Sequence, residues 1–134
     1  NLVQANLSGT NLSGVDLRGK DLRGTTLIRT NLSGTNLSGV DLSGKDLTGL
    51  NLVGVNLSGI NLSGANLTNA HLKGSYLIDA DITNATVRKE TLNQAILCNT
   101  RTIDGTSSDC DLRKVDFTMT NLSGVDLRDK DLTG

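Results

Sequence analysis

The stretch NLSGTNLSGVDLSGKDLTGLNLVGVNLSGINLSGA, residues 31–65, decides the fold, because a unit of five residues recurs there seven times without a break. Counted from residue 2, every fifth position up to residue 132 gives twenty-seven slots, and Leu, Ile, Val or Phe occupies twenty-five of them. Thr102 and Ser107 are the two exceptions. The chain is therefore one internal repeat, and a short fixed period of this kind predicts a solenoid.

The residues around each apolar slot favour turns. The residue before the slot is Asn or Asp in nineteen of the twenty-seven units, and the residue two after it is Gly in fourteen. A period of five fits neither an amphipathic helix nor an alternating strand, so the chain must change direction in every unit. Asn and Asp suit such turns because their side chains bond to nearby backbone groups, and Gly suits them because it adopts positive φ at little cost.

This unit resembles the pentapeptide-repeat family, whose consensus reads Ala-(Asp/Asn)-Leu-x-x, over essentially all 134 residues. The resemblance implies an all-β fold, a right-handed quadrilateral β-helix in which four units form one square coil. In that family the Leu and the residue two before it point inward and the other three face outward. With twenty residues in a coil, the chain is long enough for about 6–7 coils.

We expect residues 1–134 to form one solenoid domain. The unit is regular at residues 1–75, degenerates at 76–120 and becomes regular again at 121–134. Residues 101–110, RTIDGTSSDC, place polar residues at both apolar slots, and their cluster of Gly, Ser and Asp predicts a loop or bulge. The chain lacks an initiator Met and begins and ends in register, which suggests a fragment of a longer protein.

Charge and composition limit the kinds of partner that the chain is expected to bind. Thirteen basic and fourteen acidic residues leave a net charge of −1, so we expect no nucleic-acid partner. The sequence has neither an apolar run that could span a bilayer nor a secretory signal. We expect a protein partner of unknown identity, and an exposed solenoid end could also pair with a second copy to form a homodimer.

Catalysis is not expected. His71 is the one histidine, it falls in an outward slot, and no nucleophile or carboxylate beside it completes a recognisable catalytic set. There is no metal-ligand cluster, phosphate loop or nucleotide fingerprint in the sequence, so we predict no catalytic, cofactor-binding or metal-binding residues and no cofactor.

The favoured function is a non-enzymatic scaffold or spacer rod that binds proteins. Its contact surface is expected in the degenerate units, because irregular segments on rigid scaffolds often carry function. The candidate residues there are Tyr76, Arg88, Lys89, Arg101, Asp104, Arg113 and Lys114. The alternative is a DNA-mimicking regulator of a type II topoisomerase such as DNA gyrase, which the resemblance implies for some family members; ice binding by a flat face is a third, less favoured option.

Two further features depart from the family pattern. Lys20, Lys45 and Lys130 occupy inward slots, and because a buried unpaired ammonium is costly we expect them to bend outward and meet the Asp residues that flank them. Cys98 falls in an outward slot and Cys110 in an inward one. We expect a surface thiol and a small core residue rather than a disulfide, which favours a reducing compartment such as the cytoplasm.

Overall fold

The computed structural model describes residues 2–113, 115–118, 122, 125–130 and 132–133. Parallel β-bridges join residues that lie twenty apart, from the pair Asn6 and Thr26 to the pair Asp81 and Arg101. Two short strands, β1 (Tyr76–Ile78) and β2 (Ile96–Cys98), pair in parallel in the same register. The twenty-residue coil with a turn in every five residues confirms the predicted right-handed quadrilateral β-helix.

Each side of the coil repeats one turn, which the unit at residues 61–65 illustrates. The Asn61 side chain accepts the Ser63 N–H at 3.1 Å, and the Ala65 N–H donates to the Leu62 carbonyl at 3.0 Å. Between them Gly64 has a φ of 66°, a left-handed conformation that costs Gly little. The Asx residue and the Gly of the repeat therefore each supply one part of the corner.

The main core fills the inside of the coils. The slot leucines from Leu17 to Leu77 are at most 4% exposed, and the second inward slot holds Val, Ile, Ala or Thr in most of these units. Buried hydroxyls in that slot are satisfied: the Thr30 hydroxyl donates to the Leu7 carbonyl of the preceding coil at 2.8 Å. The core thins at both ends, where Leu2 and Leu97 are among the residues that are partly buried.

The ladder of backbone hydrogen bonds between successive coils ends near residue 103. Helix α1 (Lys89–Leu92) replaces one corner without changing the register. Among the described residues, the last bond of the twenty-residue register runs from the Asn84 N–H to the Ile103 carbonyl at 3.1 Å. The chain then reverses through an antiparallel bridge between Arg101 and Ser107, so the expected 6–7 stacked coils are not confirmed.

The described residues among 110–130, which we call the returning segment, pack against the outer side of β1 and β2. Their apolar side chains form a second cluster around the outward-facing Ile78 and Cys98, separate from the main core. The cluster also contains Leu112, which is buried, and the partly buried Ile96, Cys110, Val115, Phe117, Val125 and Leu127. The segment keeps the local five-residue turn, since the Val115 N–H donates to the Leu112 carbonyl at 3.1 Å.

The expectation for the cysteines is wrong. Cys98 and Cys110 form a disulfide, and Cys98 is fully buried rather than a surface thiol. The reversal at residues 101–107 breaks the five-residue frame and brings residue 110 back to the outer side of β2. Cys110 therefore lies outside the main core, and the reason given for favouring a reducing compartment no longer applies.

The three lysines at inward slots behave differently from one another. Lys20 is exposed, and its charge contributes to the lowered pKa of Asp16, one of its flanking residues. Lys45 is half-buried and donates to the Thr25 carbonyl at 3.3 Å. Lys130 pairs at 3.0 Å with Asp79, which lies far away in sequence rather than beside it. Asp131, the second residue that flanks Lys130, lies outside the described residues.

Candidate interaction surface

Helix α1 presents two of the candidate residues. Arg88 is its N-cap and Lys89 its first residue, and both are exposed. Lys89 occupies the slot that Gly fills in regular units, and the helix replaces the left-handed corner there. The Arg88 side chain makes no capping bond with the helix. Both cationic groups therefore face solvent.

The reversal at residues 101–107 carries the next two, Arg101 and Asp104. Asp104 accepts the hydroxyls of Thr102 and Thr106 at 2.7 and 2.8 Å and the Thr106 N–H at 3.0 Å. These bonds, with the Thr102 hydroxyl foremost, lower the pKa of Asp104 to about 2. Arg101 lies 3.6 Å from the Asp81 carboxylate and is 62% exposed, so this is a loose surface ion pair.

Helix α1 and the reversal are neighbours in space. They share a shallow cavity of about 220 Å³ that is lined by Leu92, Thr102, Ile103 and Asp104. We call residues 88–92 together with residues 101–106 the end surface. The structure therefore brings four of the seven candidate residues, Arg88, Lys89, Arg101 and Asp104, into two adjacent segments.

The main core is only partly covered at the end surface. Val87 and Leu97 are only partly buried, and Ile103 is 37% exposed. Thr102 stands at an apolar slot, so the stack of leucines does not continue there. The result is a partly exposed apolar centre in a surface that also presents the cationic Arg88 and Lys89 and the anionic Glu90 and Asp104.

The remaining candidates lie elsewhere. Arg113 belongs to the returning segment and forms an ion pair with Asp111 at 2.9 Å, with both side chains more than half exposed. Lys114 lies outside the described residues.

The placement of Tyr76 on the interaction surface is wrong. Tyr76 is 6% exposed, its ring stacks on Phe117 at 5.6 Å between centroids, and its hydroxyl donates to the Asp116 carbonyl at 3.2 Å. It is buried because the returning segment covers the outer side of β1. The sequence carried a signal for this, since Tyr76, Ile78 and Ile96 put apolar groups in outward positions where regular units have polar ones.

Arginine neutralises much of the acidic surface locally. In each Asp-Leu-Arg unit the guanidinium folds back two residues onto the carboxylate, as in the 2.6 Å pair of Arg18 with Asp16. The same contact joins Arg23 to Asp21 and Arg128 to Asp126, again at 2.6 Å. Hydrogen bonds from Arg18, before any other cause, lower the pKa of Asp16 to about 2.

One column of outward residues contains acidic side chains, which a DNA mimic would need along its surface. The bridges align Asp41, Asn61, Asp81 and Arg101 on successive coils. Asp41 and Asp81 each accept hydrogen bonds from the Ser or Thr two residues on, which lowers their pKa values. The neutral Asn61 interrupts the column, and the cationic Arg101 ends it.

Sites of other kinds are not found in the part of the chain that the structure describes. No group of three or more His, Cys, Asp or Glu residues there is placed to hold a metal ion. His71 is exposed. None of the helices in that part is long and apolar enough to cross a membrane.

A family model described as "Pentapeptide repeats" matches the chain in eight copies, over residues 1–44, 51–88 and 92–129. No curated protein matches the chain. The matched ranges include most of the regular units, the reversal and most of the returning segment, and they leave out residues 89–91 of helix α1.

Several solved structures are similar to the chain. A pentapeptide repeat protein from Nostoc PCC 7120, alr5209, is 33% identical, and the match covers 70% of this chain and 77% of that one with a TM-score of 0.59. HetL, a pentapeptide repeat protein involved in heterocyst differentiation regulation from Nostoc sp. strain PCC 7120, is 30% identical. That match covers 78% of this chain and 52% of HetL, with a TM-score of 0.38. QnrB1, a plasmid-mediated fluoroquinolone resistance protein, is 20% identical over 73% of this chain and 55% of its own, with a TM-score of 0.40.

Proposed function

The chain belongs to the pentapeptide-repeat family, and from this premise we propose that it is a rigid, non-enzymatic scaffold that binds a protein through its end surface. The observation that carries the proposal is the incompletely closed core at Val87, Leu97 and Ile103, with Arg88 and Lys89 in the same surface. A partner with an apolar centre and acidic groups opposite Arg88 and Lys89 fits this surface, because complementary charge steers association and buried apolar area stabilises the complex.

The backbone hydrogen bonds between coils are consistent with a role as a rigid scaffold. Backbone bonds of the twenty-residue register run along the sides of every coil up to Asn84, and the slot leucines from Leu17 to Leu77 are buried. Interiors packed at this density deform little. Whatever binds the end surface is therefore held at a fixed distance and angle from the first coil, as a spacer requires.

A charge-reversal experiment tests the proposal. The double variant Arg88→Glu and Lys89→Glu alters the end surface, whereas Lys20→Glu and Lys73→Glu makes the same change in charge at exposed lysines outside it. Proteins captured by each variant under cross-linking are quantified by mass spectrometry and compared with those captured by the unaltered chain. We expect the end-surface variant to lose a partner that the control variant keeps. Equal capture by both variants would contradict the proposal.

The predicted homodimer through a solenoid end can be tested with the same proteins. Light scattering gives the mass of each variant in solution. A dimer of the unaltered chain that the end-surface variant dissociates would make a second copy the partner. A monomer in all three cases leaves the end surface available for a different protein.

Regulation of a type II topoisomerase remains the alternative function. The column with Asp41 and Asp81 supports it, while the paired arginines at residues 18, 23 and 128 weigh against it because they remove the continuous negative potential that imitates DNA. A supercoiling assay with DNA gyrase separates the two proposals. Inhibition or protection of the enzyme by the chain, lost on Asp41→Asn with Asp81→Asn, would favour the alternative; no effect is expected for the scaffold.

A further inference from the structure

The disulfide joins two parts of the molecule that are built differently. Cys98 ends strand β2 in the ladder and is fully buried, whereas Cys110 begins the returning segment and is partly exposed. The bond closes a loop of twelve residues that contains the reversal. It is therefore a covalent cross-link, in addition to the backbone, between a rigid coil and a segment that lies outside the ladder.

The contacts that hold the returning segment form a small, separate set. Its apolar side chains pack only into the second cluster, and among the described residues none belongs to the main core. The stacking of Phe117 on Tyr76, the hydrogen bond from the Tyr76 hydroxyl to the Asp116 carbonyl and the ion pair of Lys130 with Asp79 add to this attachment. A ladder whose own core is intact does not depend on this set for its packing.

We propose that the Cys98–Cys110 disulfide is a redox switch that holds the returning segment over the outer side of β1, and that reduction by a dithiol releases the segment and uncovers Tyr76 and Ile78. The proposal concerns this side of the solenoid and does not rest on the function proposed for the end surface, although the loop that the disulfide closes contains residues 101–106 of that surface. In the oxidised chain Tyr76 is 6% and Ile78 0% exposed, so release changes this side from covered to accessible.

The chemistry is a balanced thiol–disulfide exchange. One thiolate of the dithiol attacks the sulfur of Cys110, which is the more exposed partner. A mixed disulfide forms, the Cys98 sulfur leaves as a thiolate, and this thiolate takes up a proton. The second thiol of the reductant then attacks the sulfur atom of the mixed disulfide that belongs to the reductant. Cys110 leaves as a thiol, and two electrons have passed from the dithiol, which is now a cyclic disulfide, to the protein.

Loss of the bond weakens the closed state through chain entropy. For a loop of about this size, the cross-link favours the closed arrangement by a factor of about one hundred in the chain-entropy model. The second cluster, the contacts of Tyr76 and the ion pair of Lys130 must then hold the returning segment, whose ordering is opposed by conformational entropy. The ladder keeps its bonds and its core in both redox states.

Tyr76 provides a direct readout because it is the one tyrosine of the chain, which has no tryptophan. Quenching of tyrosine emission by acrylamide, measured from intensity and lifetime together, reports the accessibility of that ring. We expect the quenching constant to rise several-fold when dithiothreitol reduces the disulfide, with two free thiols counted per chain. The far-UV circular dichroism and the thermal midpoint of the coils are measured on the same samples and should be retained.

Two variants calibrate the readout. The variant Phe117→Ala removes the ring that covers Tyr76 and should raise the quenching constant of the oxidised chain without any reductant. The variant Cys98→Ser with Cys110→Ser should give the value of the reduced chain whether or not dithiothreitol is present.

Three results would overturn the proposal. The first is an unchanged quenching constant after two thiols have been counted. The second is a loss of the far-UV signal on reduction, which would make the bond a requirement of the whole fold. The third is an oxidised Phe117→Ala variant that is quenched like the unaltered chain, because Tyr76 would then not be covered by the returning segment.

Discussion

Replacing Leu57 by Ala tests the inward stack of leucines at its most enclosed point. Leu57 is fully buried, and the leucines of the same column one coil before and after it, Leu37 and Leu77, are at most 1% exposed. The N–H of Leu57 is also fixed by a bond to the Tyr76 carbonyl at 2.8 Å. Because the walls are held by the ladder, they cannot collapse into the space that three lost carbon atoms leave. We expect the free energy of unfolding to fall by about 3–5 kcal/mol, the upper part of the range for buried Leu→Ala changes.

Urea denaturation followed by far-UV circular dichroism measures this loss. The matched control is Leu7→Ala, which makes the same chemical change in a partly buried residue of the first coil. We expect the control to cost about 1–2 kcal/mol, since part of the side chain is already in water and no closed cavity forms. A loss below about 1 kcal/mol at Leu57, or equal losses at the two positions, would refute the inward-leucine reasoning.

Two further predictions concern the corners of the coil. Gly34 has a φ of 66° and open space around it, so Gly34→Ala should cost about 1–2 kcal/mol of unfolding free energy from backbone strain alone. The variant Gly34→Asn should cost less, because Asn69 and Asn84 adopt the same conformation with φ values of 57° and 55°, and urea denaturation of the two variants checks the order. Hydrogen bonds from the neighbouring arginines, before other causes, lower the pKa of Asp16 and Asp21 from 3.8 to about 2. A folded-state pKa below the unfolded one adds stability that is complete above about pH 5 and is lost as the pH falls to about 2, so the thermal midpoint should fall across this window. The fall should be shallower in the variant Asp16→Asn with Asp21→Asn, and an identical fall would contradict the assignment.

The sequence predicts the coil well because its signal is local and repeated. Each unit contains its own corner, with an Asx side chain before the apolar slot and a residue of positive φ after it, as at Asn61 and Gly64. The twenty-residue register follows from closing four such corners. The turn in every unit could therefore be derived from the pattern, whereas the square coil of four units and the inward direction of the leucines were implied by the resemblance to the pentapeptide-repeat family.

The returning segment could not be predicted in the same way. Its units carry the same local signal, and Asp116 and Asp126 accept the N–H two residues on as the Asx residues of the coils do. Whether such a unit stacks on the previous coil or folds back is decided by the reversal at residues 101–107, which involves the polar slots Thr102 and Ser107. The sequence marked that stretch as irregular but contained no information on the direction in which the chain leaves it.

The cysteine pairing and the burial of Tyr76 were both mispredicted because the sequence does not show in which direction the chain leaves residues 101–107. Both expectations assumed that the frame continues, so that residue 98 faces solvent and residue 110 faces the core. Once the chain reverses, outward apolar groups at Ile78 and Ile96 become the floor of a second cluster. A group of outward apolar residues, such as Tyr76, Ile78 and Ile96, is thus an indication that another segment covers them, whereas the single apolar residues Val3 and Val53 in outward slots are exposed.

The five-residue period also governs how the molecule tolerates changes in length. A square coil of four units means that the insertion or deletion of one unit leaves every local corner intact but rotates all that follows by a quarter turn about the solenoid axis. The accompanying shift along the axis is only about 1.2 Å, a quarter of the spacing between strands. Adding units to the regular coils would therefore aim the end surface in steps of ninety degrees while hardly moving it. The number of units therefore determines the orientation of the end surface about the solenoid axis more than its position along that axis.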